Sequence, residues 1–584
     1  MEILWRSKEI EISNRKGILG TSLNALNEGD YPPLIRRLLV ARGFDNLEIV
    51  ARFFSPKLSE LRDPFLMLSM DKACDRLVEA FVKKEKIGIY ADFDLDGTSG
   101  LALLNDGLRQ LGYTNIVMAQ PKRLSEGYGF HSHLVEDLKQ QNVSLIITVD
   151  VGITAFQACE KVLELGMDVI ITDHHQMAET LPQALCVVNP NQKGDASGLG
   201  FLCGAGVAFY LLRGLKRKLV QAGLIPETAL DLKSLLDCFC IATLTDMVPL
   251  IEDNRTLVKL GLQQLEKTKR PGLRALLEAL DLSGRALSSQ DVAIRFAPKL
   301  NALSRMENGI LPIDLYVQED IQAAREMVKV VLLNNSTRVQ LQGAGDAEAV
   351  DFLKTWPHKK FIFMCSRNFH RGVLGLIATK LSQQENVPVF IGAINDDGVV
   401  TGSARLPNGI SDSLLTAFAA GSQYLNRYGG HDAAAGFELH EKNQGAFITA
   451  LSEYYDKQEA SESRSLEFDV EANLSEVTEY LMRWFDALGP FGQSCANPLL
   501  CFRKVHLREI ISLKGGHLKL KLEETESFRR FDGMYFSPPP SVTEKIPPVG
   551  TQIDILGELQ WNFFAGRKAI QILIKDFKLS GESI

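Results

Sequence analysis

The sequence predicts an α/β protein with a parallel-sheet domain, a long connecting helix, a second α/β domain and a small terminal β-barrel. Three observations carry this prediction. Short apolar runs alternate with helical patterns from about residue 86, which is typical of βαβ units. A helical pattern with few breakers then leads to a second segment of the same kind. The last apolar runs are strand-like and separated by turns, as in a barrel.

Length and composition set the broad class. The 584 residues correspond to about three to five domains at roughly 100–200 residues each, and 45% hydrophobic with 23% charged residues is ordinary for a folded soluble protein. The start MEILWRSKEIEIS lacks the apolar core of a signal peptide, and no run reaches the roughly 18 apolar residues of a membrane span. We therefore expect a cytoplasmic protein with no membrane contact.

Cysteine and charge patterns narrow the functional classes. The nine cysteines include no CxxC pair, only Cys238 and Cys240 in a helix-like run, so neither a disulfide framework nor a zinc knuckle is indicated. A net charge of −8 excludes a protein that coats nucleic acid indiscriminately. Residues 501–578 nevertheless carry 13 Lys and Arg against 9 Asp and Glu. This local excess indicates either a binding module or a solvated basic face.

The domain boundaries follow these patterns. The first domain is expected over residues 1–310, with an N-terminal extension and a helical part, and its strands are KIGIY, NIVMA, SLIITV, DVIIT and ALCVV. Residues 311–356 are expected to form the connecting helix. The second α/β domain, 357–457, contains KFIFMC, VPVFIG, GVVTGSAR and the Gly-rich run RYGGHDAAAGF. The barrel, 458–584, contains HLKLKL, FRRFDGMYF, TQIDILGEL and AIQILIKDF.

Carboxylates and imidazoles follow the strands of the first domain. The run IGIYADFDLDG resembles a calcium loop, but Leu103 stands at its twelfth position, where a bidentate Glu is required, and the preceding segment is strand-like. Taken singly, an Asp after a strand is often a helix N-cap, and a His is often a hydrogen-bonded core residue. The candidates are Asp92, Asp94, Asp96, Asp150, Asp173, His174, His175 and Asp246.

Together these residues predict a two-metal centre. The carboxyl ends of parallel strands share one sheet edge, where open α/β sheets bind ligands. Two carboxylates about 4 Å apart repel by roughly 4 kcal/mol at an effective dielectric of 20, so only cations make such a cluster tolerable. Four carboxylates balance two divalent ions, and the reaction class is phosphoester hydrolysis by an activated water. Imidazole beside carboxylate favours Mn²⁺, with Mg²⁺ as the alternative.

At these residues the chain resembles the DHH phosphoesterase superfamily, named for the run that is Asp173, His174 and His175 here. Further motifs stand in the order found in its bacterial single-strand-specific exonucleases, over about residues 20–578: PKRLSEGYGFH, LCGAGVAF, TDMVPLIEDNR, APKLNALSRM, FHRGVLGLIA, GSAR, GGHDAAAGF and GPFGQ. The resemblance implies a DHH domain, a DHH-associated domain and an OB-fold. It also implies a single-strand-specific 5′-to-3′ DNA exonuclease of DNA repair and recombination.

The resemblance further implies roles for individual residues. The direct metal ligands would be Asp94, Asp96, Asp150, His174 and Asp246. Beside them Asp92 and His175 would orient the site, and Asp173 would fix the imidazoles. Ser403, Arg405 and His431 would face the metals across a cleft, and Arg305 would join them as an anchor for the terminal 5′-phosphate. Independently of the resemblance, Gly429 and Gly430 would let the backbone come close to a phosphate. The Gly-rich run is otherwise explained as a tight turn that opens a packed helix.

Aromatic residues predict contacts with a nucleic-acid strand. On the last hairpin of the barrel they form either a stacking platform or part of the barrel core: Trp561, Phe563 and Phe564, with Arg567 and Lys568. Tyr128 in EGYG is a further stacking candidate near the metals. The resemblance implies single-stranded DNA as substrate and a monomer, with delivery by a single-strand-binding protein and a helicase as a guess from family analogy.

Four residues depart from the family pattern, and two other functions stand as alternatives. Val151, Lys299, Leu303 and Ser304 differ from the usual residues, which puts the shape of the subsites in question. A small-molecule DHH enzyme that cleaves cyclic dinucleotides or very short oligonucleotides is opposed by the terminal barrel. A catalytically inert scaffold is opposed by the presence of every expected carboxylate and histidine.

Overall fold

The computed structural model describes residues 4–8, 31–306, 309–407, 409–410, 412–458, 465–538, 540–543, 546–564 and 567–581. The chain divides into two compact units. Unit 1 comprises Met1–Leu61, Leu250–Thr256 and Glu462–Ile584, and unit 2 comprises Arg62–Pro249 and Leu257–Ser461. The N-terminal extension was expected to join the first domain. In the structure it belongs to unit 1, because its described part packs with the barrel.

The helices and strands are numbered along the chain. The helices are α1 (Pro33–Ala41), α2 (Leu47–Phe54), α3 (Met70–Lys83), α4 (Leu95–Gln110), α5 (Ser132–Gln140), α6 (Phe156–Glu164), α7 (Gly204–Gln221), α8 (Leu236–Thr245), α9 (Glu252–Glu266), α10 (Pro271–Ala279), α11 (Ala297–Met306), α12 (Pro312–Val317), α13 (Ile321–Leu353), α14 (Leu374–Glu385), α15 (Leu414–Ala420), α16 (Gln444–Asp456), α17 (Glu479–Leu488) and α18 (Pro540–Thr543). The strands are β1 (Leu4–Ser7), β2 (Ile87–Ala91), β3 (Ile116–Ala119), β4 (Leu145–Val149), β5 (Asp168–Thr172), β6 (Cys186–Val188), β7 (Ile362–Ser366), β8 (Val389–Ile394), β9 (Val399–Arg405), β10 (Arg427–Gly430), β11 (Ala434–His440), β12 (Ser465–Phe468), β13 (Val470–Ala472), β14 (Leu499–Leu513), β15 (His517–Glu523), β16 (Arg530–Tyr535), β17 (Gln552–Phe564) and β18 (Arg567–Leu579).

A five-stranded parallel sheet in the order β3-β2-β4-β5-β6 forms the first part of unit 2. Every residue of β2 and β4 is buried, because crossover helices cover both faces of a parallel sheet. After β2 the chain forms β3 on one side of it, and it then returns to form β4, β5 and β6 on the other side. The carboxyl ends of β2 and β4 are therefore the topological switch point of the sheet. All five strands expected from the apolar runs are present.

Helices connect this sheet to a second one. The connecting helix α13 has 33 residues and follows α12 after the short break Gln318–Asp320. Asp320 caps it, since its side chain accepts a hydrogen bond from the N–H of Ala323 at 2.7 Å. The helix is therefore shorter than the expected 311–356, because that break interrupts the helical backbone. Cys238 and Cys240 lie fully buried in α8, as expected.

The second sheet of unit 2 has the order β10-β11-β9-β8-β7. Strands β7 and β8 are parallel, and the others pair antiparallel. Its core packs large aromatic side chains, including Phe390, Phe418, Phe437 and Phe447. The Gly-rich run forms the β10–β11 hairpin, so the alternative of a turn that opens a helix is wrong.

Unit 1 contains a closed five-stranded barrel in the order β14-β15-β16-β18-β17, with β17 pairing back to β14. The expected strands of the barrel are present, but its 15-residue strand β14 was not anticipated. Register shifts between Phe502 and Val505 and between Leu507 and Glu509 interrupt the alternation of apolar residues that identifies a strand. Apolar side chains of α1, α2 and α17 pack into the same core as the barrel strands.

Within the described ranges, the structure has no helix that combines the length and the apolarity needed to cross a membrane.

Candidate metal centre and anion pocket

The carboxyl edge of the parallel sheet collects the predicted ligands. Asp92 follows β2, and Asp94 caps α4 with its side chain. Asp150 follows β4 directly, in a left-handed backbone conformation (φ +63°) that is uncommon for a residue with a side chain. The run Asp173–His175 follows β5 at the next position of the sheet. Such strained backbone is tolerated where the surrounding structure requires one side-chain position.

His174 lies at the centre of this group. Its Nε2 is 3.2 Å from Asp150 Oδ1, 3.5 Å from Asp246 Oδ2 and 3.8 Å from Asp96 Oδ2. Asp246 follows the last residue of α8, so this carboxylate of the cluster comes from a helix and not from the sheet edge. Three sets of ligand atoms lie within 4.8 Å of one another: Asp150, His174 and His175; Asp96, His174 and Asp246; and Asp92, Asp94 and Asp150.

Several of these ligand atoms are buried without a hydrogen-bond partner among the described residues. They are Asp92 Oδ1, Asp150 Oδ1, His174 Nε2 and Asp246 Oδ2. A buried polar atom left unsatisfied costs about 1–3 kcal/mol, and buried polar groups normally have partners. Four such atoms that converge on one place are suited to coordinate a cation. Carboxylate oxygens with an imidazole nitrogen form a donor set that fits divalent cations.

The electrostatics of the cluster agree with this conclusion. Burial, followed by the charges of Asp96 and Asp94, raises the pKa of Asp246 to about 8. Burial and the charge of Asp96 also raise the pKa of Asp150 well above its ordinary value. Burial and the charge of Asp94 do the same to the pKa of Asp92. Burial and mutual repulsion therefore disfavour the charged forms of these carboxyl groups, which is the condition that a bound cation relieves.

Backbone amides position Asp96. The N–H groups of Gly204 and Ala205, at the start of α7, donate to its two carboxylate oxygens at 2.6 and 2.9 Å. Helix N-termini favour negative charge, so α7 supports an ionised carboxylate here. Gly204 also permits Asp150 to lie close to the start of α7, because a Cβ at position 204 would come within 2.4 Å of the Cβ of Asp150.

The backbone of the DHH run is held by neighbouring side chains. Asp173 Oδ1 accepts from the N–H groups of His174 and His175, and from His175 Nδ1 at 2.8 Å. Burial raises the pKa of Asp173, but the bond and charge of His175 outweigh it and hold that pKa below its ordinary value. Asn191 Nδ2 donates to the carbonyl of His174 at 2.5 Å, and Asn189 Nδ2 donates to that of His175 at 2.9 Å. The two asparagines were not anticipated, although the run Asn-Pro-Asn after β6 was a signal for them.

The second sheet presents His431 to this centre. Its ring stacks on that of His175, with centroids 6.2 Å apart and planes at 11°. Gly430 has φ +137°, and a Cβ there would lie 2.7 Å from the carbonyl oxygen of Ala434, so the turn requires glycine. Gly429 is exposed and has open space where a Cβ would be. Tyr128, 49% exposed, brings its hydroxyl to 3.4 Å from His175 Nδ1.

Three partly buried arginines lie beside the centre and make up a candidate anion pocket. Arg305 donates to the carbonyl of Gly372 at 3.0 Å, and Arg405 donates to Ser403 Oγ at 2.9 Å. Burial, followed by the charges of Arg123, Arg338 and Arg405, lowers the pKa of Arg305 to about 9. Among the described residues, none of Arg123, Arg305 and Arg405 forms an ion pair with a carboxylate. These arginines are suited to bind an anion, because a guanidinium offers a fork of hydrogen-bond donors.

Arg123 was not anticipated as a pocket residue. It lies over the ring of Phe93, with its guanidinium carbon 4.9 Å from the centroid. Burial lowers its pKa, while the charges of Asp94 and Asp92 oppose that shift, so Arg123 neighbours the ligand cluster as well as Arg305. Arg123 lies in the family motif PKRLSEGYGFH. A basic residue between a strand and the turn that carries Tyr128 was the sequence signal that could have identified it as a pocket residue.

The predicted strand-binding residues of the barrel belong to unit 1. Trp561 packs against the core cluster, donates its indole N–H to Asp486 at 3.0 Å and lies under Lys568 Nζ at 3.7 Å from its ring. Phe563 is 56% exposed. The side chains of Phe564 and Arg567 lie outside the described residues, so the prediction for Arg567 stays a prediction.

Comparisons with known proteins agree with this fold and site. The DHH family, N-terminal domain matches residues 86–243, the DHHA1 domain matches 358–457 and the RecJ OB domain matches 468–576. The single-stranded-DNA-specific exonuclease RecJ of Bacillus subtilis is 31% identical over 555 residues, which span 94% of this chain and 68% of that protein. The protein of that name from Escherichia coli is 30% identical over 564 residues, 93% of this chain and 96% of that one.

A solved structure extends the likeness to the fold. The crystal structure of RecJ in complex with Mn²⁺ from Thermus thermophilus matches with a TM-score of 0.79 and 26% identity, over 99% of this chain and 80% of that one. The DHH fold and its acidic and imidazole ligand set define the class as a DHH-family protein with DHHA1 and OB domains. Within that class, the chain belongs to the RecJ family.

Proposed function

We propose that the chain is a metal-dependent exodeoxyribonuclease that hydrolyses single-stranded DNA from its 5′ end, in DNA repair and recombination. One observation carries the proposal. Four buried ligand atoms that have no hydrogen-bond partner among the described residues lie near Arg123, Arg305 and Arg405, which form no ion pair with a described carboxylate. The first group suits divalent cations and the second suits a phosphate. The relatives from Bacillus subtilis and Escherichia coli, which are named single-stranded-DNA-specific exonucleases, support this substrate class.

We infer two divalent cations, with Mn²⁺ preferred and Mg²⁺ as the alternative. Asp150 belongs to two of the three ligand sets, which suits a carboxylate shared by two ions. When bound, such ions activate a water molecule and neutralise charge that develops on a phosphate oxygen. The ligands in this proposal are Asp94, Asp96, Asp150, His174 and Asp246, with Asp92 and His175 beside them.

The residues of the chain hold the substrate and the ligands in place. Arg305 and Arg405, with Ser403, offer donors to the terminal 5′-phosphate, and Arg123 joins them. Tyr128 offers an exposed ring for the terminal base. His431 and the open backbone at Gly429, which follows from the turn that Gly430 permits, form the opposite wall. The distance from the phosphate pocket to the ligand cluster then selects the first phosphodiester bond.

The proposed partners follow from charge. A net charge of −8 opposes unaided approach to a polyanion, so delivery by a single-strand-binding protein or a helicase suits this chain. We propose that it acts as a monomer in the cytoplasm, where such substrates arise.

The test is a nuclease assay on strands labelled at the 5′ or the 3′ end. With Mn²⁺ present, the 5′ label is expected to appear first as mononucleotide, while the 3′-labelled strand shortens gradually and duplex resists. Chelation by EDTA should stop all cleavage. Faster hydrolysis of a dinucleotide than of a long strand would favour the small-molecule DHH function instead. Absence of cleavage with either Mn²⁺ or Mg²⁺ would overturn the proposal.

A further inference from the structure

A second group of cationic side chains adjoins the anion pocket. Helix α11 carries both Lys299 and Arg305, and it packs against α13, which carries Arg338. Lys299 is one of the positions that depart from the family pattern, and the proposed function assigns no role to Lys299 or Arg338. Both side chains are partly exposed, so a ligand from solvent can reach them.

The face of α13 around Arg338 offers hydrogen-bond donors. Arg338 donates one Nη to Gln342 Oε1 at 3.1 Å and the other to Asn335 Oδ1 at 3.2 Å. Its Nε is buried and has no hydrogen-bond partner in the part of the chain that the structure describes. Because the amide oxygens of Asn335 and Gln342 accept from Arg338, the NH₂ groups of these two side chains remain as donors on the same stripe of the helix. An acceptor-rich ligand complements such a stripe.

The charges of the two groups lie close enough to act on one another. The positive charge of Arg338 acts on Arg305, together with those of Arg123 and Arg405. Burial, followed by the charges of Arg338 and Arg295, lowers the pKa of Lys299. Within the described residues neither Lys299 nor Arg338 forms an ion pair. Repulsion along such a row is relieved by an anion, in the same way as in the first pocket.

We propose that Arg338 and Lys299 form a second phosphate subsite next to the terminal-phosphate pocket. It rests on the proposed function and takes a phosphate group that lies 5′ of the one held by Arg305 and Arg405. Two sources share this chemistry. One is the β-phosphate of a strand with a 5′-triphosphate. The other is the end of a strand that advances by one nucleotide before it is cut, so that a dinucleotide is released.

The experiment compares one DNA strand with a 5′-monophosphate or a 5′-triphosphate. We measure kcat/KM for each form with Mn²⁺ and determine the size of the first product by mass spectrometry. The variants are Lys299→Gln, Arg338→Gln and Arg338→Lys, the last of which keeps the charge. Arg325→Gln is the matched control, because Arg325 also lies on α13 but already pairs with Glu278 at 3.0 Å. Thermal melting checks that each variant is folded.

If the β-phosphate is the ligand, the wild-type chain cleaves the triphosphate strand at least as efficiently as the monophosphate strand. The ratio of the two kcat/KM values then falls about tenfold in Arg338→Gln and Lys299→Gln, as expected for one lost charge-assisted hydrogen bond. Arg338→Lys retains most of the ratio, and Arg325→Gln retains all of it. If the advanced strand is the ligand, dinucleotide appears among the wild-type products and disappears in the same two variants.

Two results would overturn the inference. One is a wild-type chain that rejects the triphosphate strand and releases only mononucleotide. The other is a pair of variants in which all substrates and products change equally, because that shows a structural role. Cleavage of the 5′-monophosphate strand by the wild-type chain tests the proposed function separately. That function can therefore stand when the second subsite fails.

Discussion

Replacing Asp246 by Asn should stabilise the metal-free protein and weaken its response to metal. Asp246 Oδ2 is buried, has no hydrogen-bond partner among the described residues, and lies 3.5 Å from His174 Nε2. Its pKa is raised from 3.8 to about 8, mainly by burial and by the charges of Asp96 and Asp94. Holding this carboxyl protonated at pH 7 costs the metal-free fold up to about 4 kcal/mol. The Asn side chain removes that cost.

The pH dependence has a definite sign. A carboxyl with a raised pKa in the folded state binds a proton that the unfolded chain has lost, so its stability cost grows as pH rises from about 4 to about 8. In EDTA, the melting temperature of Asp246→Asn should therefore exceed that of the wild-type chain by several degrees at pH 7. The difference should be smaller at pH 5 and should level off above pH 8.

Metal should reverse this order. At a Mn²⁺ concentration about 100 times its Kd, binding adds about 2.7 kcal/mol to the stability of the wild-type chain. The variant has lost a charged ligand and should gain much less. The assay is calorimetric melting of the full chain with EDTA or with Mn²⁺.

A control variant lies on the same helix. Asp237 is buried in α8 and accepts from Thr268 Oγ1 at 2.6 Å and from Arg270 Nε at 3.2 Å. Asp237→Asn should lower the melting temperature with and without Mn²⁺, because it disturbs a satisfied network. A lower melting temperature for Asp246→Asn in EDTA, or an equal gain from Mn²⁺ in variant and wild type, would refute the reasoning.

Three further predictions concern hydrolysis, the DHH backbone and the barrel. Asp150→Asn keeps a side chain that tolerates the left-handed backbone at this position. The substitution should lower kcat by at least about a thousandfold. The affinity for the DNA strand, measured by fluorescence anisotropy, should change little. Unchanged cleavage would contradict the assigned site. Asn191→Asp removes the donor to the carbonyl of His174 and should weaken Mn²⁺ binding by about 10- to 100-fold in calorimetric titration; an unchanged Kd would show that the asparagine does not position the imidazole. Phe563→Ala should weaken strand binding by about 1–3 kcal/mol at an unchanged melting temperature, whereas Trp561→Ala should lower that temperature, because the indole packs on the core and bonds Asp486. Equal effects of the two barrel variants on stability would mean that Phe563 is a core residue.

The site could be anticipated in large part because it is built on strand ends. An Asp that directly follows an apolar run must lie at the carboxyl edge of the resulting strand, so the order of residues along the chain is enough to place Asp92, Asp150 and Asp173. The family motifs added Arg305, Arg405 and His431. Asn189 and Asn191 were missed because their contacts run from side chain to a distant carbonyl, which no local pattern reports.

Parts of the fold escaped prediction for similar reasons. Strand β14 contains two register shifts, which interrupt the period-two pattern that reveals a strand. The helices α1 and α2 are amphipathic segments, and their sequence indicates an apolar face without naming its partner. Their packing with the barrel core follows from contacts between residues more than 400 positions apart in the chain.

The sequence alone determined the apolar strands, the carboxylates and imidazoles at their ends, and the family to which these motifs belong, because each of these depends on neighbours along the chain. The tertiary structure decided the strand order β3-β2-β4-β5, the arrival of Asp246 from α8 and the meeting of Arg123, Arg305 and Arg405 beside the cluster. Those features depend on how the elements pack. Packing is set by the fit of residues that are distant in the chain, such as the close approach of Asp150 to the start of α7 that glycine at position 204 permits.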